Sequence, residues 1–81
     1  MKYTIDGKVY ETYLAHLDHT SATVKVLVDG EEHWVDFGPE FVSGLWNIED
    51  GKPNGPYPAA EDLLNKKAAE IVYKRITAKK T

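Results

Sequence analysis

SATVKVLVDGEEHWVDF, residues 21–37, decides the fold. Valines stand at 24, 26 and 28, an Asp-Gly pair follows at 29–30, and a second strand-like run carries on to Phe37. Alternation with period two sends successive side chains to opposite sides of a strand. Asp-Gly between two such runs marks a hairpin, because both residues tolerate the positive φ of a type I′ turn. The register then follows: Val28 faces Glu31 and Val26 faces His33.

Working towards the amino end, Asp18-His19-Thr20-Ser21 reads as a loop that sets Leu17 against Ala22 and His16 against Thr23. A second Asp-Gly pair at 6–7 predicts another hairpin. The first half is therefore a meander of four strands, near residues 2–5, 8–17, 21–28 and 31–37. Uninterrupted parity predicts one face with Val9, Tyr13, Ala15, Leu17, Ala22, Val24, Val26, Val28, His33, Val35 and Phe37. The other collects Tyr3, Ile5, Tyr10, Leu14, His16, Lys25, Leu27, Trp34 and Asp36.

Working towards the carboxyl end, Gly38-Pro39 closes the sheet pattern, since proline cannot donate to a ladder. PEFVSGLWNI (39–48) reads as a short helix or irregular turn with Phe41, Val42, Leu45, Trp46 and Ile48 inward. EDGKPNGPYP (49–58) reads as a loop dense in glycine and proline. From Pro58 the chain is helical to about residue 79. Glu61 and Asp62 complement the positive end of the helix, and Lys74, Arg75, Lys79 and Lys80 complement the negative end. Leu64, Ala68, Ile71, Val72 and Ile76 form an apolar stripe. The fold class is α+β in a single domain, 1–81: a meander (1–37), an irregular middle (38–57) and a helix (58–79) packed on one sheet face. A curled, SH3-like sheet is a variant of the same expectation.

Composition limits function. With 81 residues and no cysteine, the chain has neither disulfides, thiolate metal sites nor a thiol nucleophile, and a reducing, cytoplasmic setting is expected. No apolar run approaches membrane-spanning length, and no apolar leader follows Met1-Lys2. The net charge of −3 divides unevenly: residues 1–62 hold twelve carboxylates and four lysines, residues 63–81 six cations and one carboxylate.

Chemistry has few footholds. His16, His19 and His33 are the candidate metal ligands. The register puts His16 and His33 on opposite faces with His19 in a turn, so no shared ion is expected, nor any cofactor. Ser21 and Ser43 lack the context of an activated nucleophile, and GKPNG is no phosphate cradle. The expectation is a non-enzymatic module that binds another protein through an acidic and aromatic surface made of Tyr3, Tyr10, Glu31, Glu32, Trp34 and Asp36. In its sharpest form it inhibits a nucleic-acid-handling protein by imitating a phosphate backbone. One alternative is nucleic-acid binding through Lys66, Lys67, Lys74, Arg75, Lys79 and Lys80. Another is a small metal-dependent enzyme built on histidine and carboxylate. A second copy of the chain is a further candidate partner, because the sheet has an open edge at its fourth strand.

Overall fold

The computed structural model describes residues 1–78, with the backbone alone at residues 48, 49, 53 and 54. Strands β1 (Lys2–Ile5), β2 (Lys8–Leu17), β3 (Ala22–Val28) and β4 (Glu31–Phe37) form an antiparallel sheet in the order β1-β2-β3-β4. A short helix α1 (Pro39–Val42) and one 3-10 turn (Ser43–Leu45) follow. A separate ribbon of β5 (Trp46–Glu49) and β6 (Lys52–Pro56) leads into the long helix α2 (Ala60–Ala78). The chain is thus an α+β fold, a four-stranded meander with a C-terminal helix. β1 and β4 do not pair, so the sheet is left open rather than closed into a barrel.

The Asp-Gly turns account for the meander. Asp29 and Gly30 take φ of 53° and 79°, both left-handed, and Asp6-Gly7 repeats the arrangement. This is the backbone twist that joins two strands without splaying them. The β3–β4 register is the expected one, with Val28 opposite Glu31 and Val26 opposite His33. Asp50-Gly51 makes a third turn of the same kind, with φ of 51° and 74°, so residues 46–56 are a hairpin rather than a loop. Proline is tolerated there because a two-stranded ribbon leaves one side of each strand without ladder bonds.

Strand β2 departs from uninterrupted parity. Leu14 pairs with Val24 and His16 with Thr23, so Ala15 is an extra residue with no partner. This β-bulge reverses the facing of every residue before it. Tyr10 and Thr12 are each only 1 % exposed, whereas Val9 and Tyr13 are 50 % and 46 % exposed. Pairing of Tyr3 with Tyr10 and Ile5 with Lys8 carries the reversal into β1. The face assignments expected for Val9, Tyr13, Tyr3, Ile5, Tyr10 and Leu14 are therefore exchanged, while those in β3 and β4 stand.

Helix α2 covers the core face. Ala60, Leu64, Ala68, Ala69 and Val72 are buried against Tyr10, Ala22, Val24, Val26, Val28, Val35 and Phe37, with Val42 and Leu45 from the α1 region. Three alanines on the contacting side let the helix backbone lie close to the valines, where interior packing density demands it. Ile71 and Ile76 flank this contact. Phe41 lies at the surface, stacked on Phe37 with ring centroids 5.1 Å apart, rather than inward. The expected inward placement of Ile48 falls on a side chain outside the described residues.

The bulge makes an asymmetric stability prediction. Tyr10→Ala removes a buried ring and should cost about 3–5 kcal/mol. Tyr13→Ala should cost only about 1 kcal/mol, the size of a strand-propensity change at an exposed position. Urea unfolding of both variants checks this; a larger loss for Tyr13→Ala would mean that Ala15 is not bulged.

Candidate functional site

With α2 on one side, the other side of the main sheet carries rows of residues set by the register. Tyr13, Lys25 and Trp34 lie opposite one another across β2, β3 and β4. The next row is Glu11, Leu27 and Glu32, extended on β1 by Lys2, and the row beyond Lys25 is His16, Thr23 and Asp36. Val9 completes the apolar set. Trp34 is 51 % exposed. Tyrosine and tryptophan in such positions offer large contact area and suit binding anchors.

The polar residues of this face hold one another. Lys25 Nζ lies 5.2 Å from the Tyr13 ring centroid and 4.0 Å from the Glu32 carboxylate. Lys2 stands 3.7 Å from Glu11. The Tyr13 hydroxyl donates to Glu11 at 2.9 Å, which raises the phenol above its ordinary pKa. Thr23 Oγ1 donates to Asp36 at 3.0 Å. These pairs are exposed and each contributes little to stability. Their effect is to offset most of the local charge around the rings. A shallow hollow of about 220 Å³ opens beside Val9, Glu11, Leu27, Asp29 and Gly30.

The expected protein-binding residues separate into two groups. Glu32, Trp34 and Asp36 share the open face. Tyr10 is a core residue, edge to face with Tyr73 at 6.4 Å, and Tyr3 is half-buried on the core side. Both assignments are corrected by the bulge. Glu31 also faces the core side, opposite Val28, and its carboxylate sits 3.7 Å from His33 Nε2. The residues that take the place of Tyr3 and Tyr10 are Val9 and Tyr13. The signal for them was weak, since YLAHL (13–17) puts apolar residues at both parities.

The histidines are dispersed as the register predicts. His16 and His33 occupy opposite faces, and His19 packs edge to face on Trp46 at 6.2 Å. Among the described residues, no three His, Asp or Glu side chains are grouped to hold a metal ion. His16 Nε2 lies 2.9 Å from Asp18. Asp18 organises the β2–β3 loop by accepting bonds from the Thr20 and Ser21 N–H groups at 2.8 and 2.7 Å. The Thr20 backbone bond, then the Thr20 hydroxyl, His16 and the Ser21 N–H, hold its carboxyl well below the usual carboxylate range.

Of the basic helix residues, Lys66, Lys67 and Lys74 are exposed and have no ion pair among the described residues. Arg75 reaches back to the sheet, donating to the Trp34 carbonyl at 2.9 Å. Lys79 and Lys80 lie outside the described residues. Phe41, Leu63, Lys66, Lys67 and Glu70 line an open hollow of about 260 Å³ on this side. Among the described residues, no helix is long and apolar enough to cross a membrane.

No protein-family model, curated protein or solved structure matches the chain.

The Asp18 loop has a signed pH dependence. A carboxyl depressed by folding stabilises fully above its unfolded pKa of about 3.9, and that contribution fades as pH falls toward the folded value. The stability gap between the wild type and Asp18→Ala should therefore be widest near neutrality and narrow below about pH 4. Thermal unfolding of both chains across this range reads it out, and a gap independent of pH would contradict it.

Proposed function

We propose that the chain is a small, non-enzymatic interaction module that binds another protein through the open face of its main sheet. The observation that supports this is the one-sided covering of the sheet. The core face is covered by α2, yet Val9, Tyr13, Leu27 and Trp34 remain on the other side, with Val9, Tyr13 and Trp34 about half exposed. Leaving large apolar side chains in water gains nothing for folding, whereas removing them from water on association is favourable. A cytoplasmic setting belongs to the same proposal, on the strength of a chain without cysteine.

The sharper version, an acidic surface that inhibits a nucleic-acid-handling protein, is expected on Glu31, Glu32 and Asp36; with Glu31 on the core side, it rests on Glu11, Glu32 and Asp36. Glu11 and Glu32 already have a lysine within 4.0 Å. Apolar contact is therefore the larger contributor, and charge sets orientation and rate of encounter.

Capture from an extract of the native host tests the reading. Tyr13→Ser with Trp34→Ser should keep the fold, checked by circular dichroism, and lose one or a few proteins that the wild type retains. Lys66→Glu with Lys67→Glu should leave that capture unchanged. An identical set of captured proteins with the sheet double variant would refute the proposal. Loss only with the helix variant, together with retention of DNA that falls steeply with salt, would favour the nucleic-acid reading.

A further inference from the structure

The open edge of β4 narrows the kind of partner. We propose that this edge accepts an added strand: an extended segment of another protein carrying lysine or arginine at alternate positions. The inference rests on the protein-binding reading above and specifies the partner's chemistry.

Among the described residues, β4 has β3 on one side only. In an antiparallel pair, N–H and C=O of alternate residues point to the neighbour and away from it. The Trp34 carbonyl is reached by Arg75 from α2, so it points away from β3, and by alternation the backbone groups of Glu32 and Asp36 point the same way. Among the described residues, Arg75 provides the one hydrogen bond to these outward groups. A seven-residue strand with such a row is a template for another chain. The opposite edge, β1, has four residues and begins with Lys2.

The charges of β4 select among occupants. Glu31, Glu32 and Asp36 give it three carboxylates and neither lysine nor arginine, and Lys25 of β3, 4.0 Å from Glu32, offsets one of them. A second copy pairing antiparallel about Trp34 would bring Glu32 of each chain opposite Asp36 of the other, a repulsive cross-strand contact. A strand with cations at alternate positions would instead set them beside Glu32 and Asp36 on the open face, flanking Trp34. The Arg75 guanidinium already places a cationic donor on the Trp34 carbonyl, the position an incoming strand's N–H would take. Arg75 is exposed and can swing aside.

The test uses the full chain, labelled with nitrogen-15, and a blocked heptapeptide of alternating lysine and valine, with a glutamate–valine peptide as control. The lysine peptide should slow exchange of the Glu32, Trp34 and Asp36 amide protons about tenfold or more and should weaken as salt rises. Glu32→Lys with Asp36→Lys should lose the lysine peptide and gain the glutamate one, its amide spectrum elsewhere remaining that of the folded chain. Unprotected β4 amides overturn the inference, and so does equal protection by both peptides. Perturbation confined to Val9, Tyr13 and Leu27 overturns it while leaving the open-face reading in place. Protection that appears without peptide as chain concentration rises makes a second copy the occupant and also overturns it.

Discussion

One unpaired residue in β2 determines which side chains meet the helix. Strand residues alternate with a period of two, so a single insertion moves everything on one side of it to the opposite face. At Ala15 the insertion brings Tyr10, Thr12 and Leu14 under α2 and turns Val9, Glu11 and Tyr13 outward. β1 has no independent choice, because its pairing with β2 places Tyr3 and Ile5 with Tyr10. Without the bulge, Tyr10 and Leu14 would stand beside Trp34 and Leu27, and the core would hold Tyr13 where Thr12 now sits. Both the packed core and the composition of the open face follow from this local irregularity.

The helix completes only what lies beneath it. An α-helix with its side chains is about 10–12 Å across, while four strands spaced about 4.8 Å apart make a wider platform. Tyr10, Val24 and Val26, on the two inner strands, are almost fully buried, and Tyr3, Ile5 and His33, on the outer strands, are only partly so. Val42 and Leu45 extend the cover at one end of the sheet, where β4 gives way to α1. Among the described residues, no element is left to close the second face. Strands β5 and β6 pair with each other instead of widening the main sheet.

The sequence is legible where local chemistry is unambiguous. Asp29-Gly30 between two alternating runs fixes the β3–β4 hairpin, its register, and the joint placement of Glu32, Trp34 and Asp36. The dispersal of His16 and His33 follows from the same register. Parity in β2 is another matter: Tyr13, Leu14, Ala15 and Leu17 offer apolar residues to both faces, and no glycine marks the bulge. Tertiary contact with α2 resolves what the local pattern leaves open, so Tyr3 and Tyr10 are misplaced by sequence reading while Val9 and Tyr13 are missed. Asp50-Gly51 carried the same turn signal as the other two pairs. Pro53 and Pro56 masked it, because proline argues against a strand in a sheet interior but not in an isolated ribbon.

The uneven charge along the sequence is also uneven in space, and this bears on where a protein partner would dock. On the sheet, neutralisation is local: Lys2 with Glu11, Lys25 with Glu32, and Lys8 with Asp29 at 3.0 Å. On the helix, Lys66, Lys67 and Lys74 stand in water without such partners among the described residues. A strongly hydrated ammonium resists desolvation, whereas rings set among paired charges can be dehydrated at lower cost. Protein interfaces accordingly favour aromatic anchors in their centres and leave lysine at the rim. The open sheet face offers Tyr13 and Trp34 on either side of Lys25, whose ammonium already has Glu32 4.0 Å away. The helix offers mainly point charges, which suit a polyanion better than a folded protein surface.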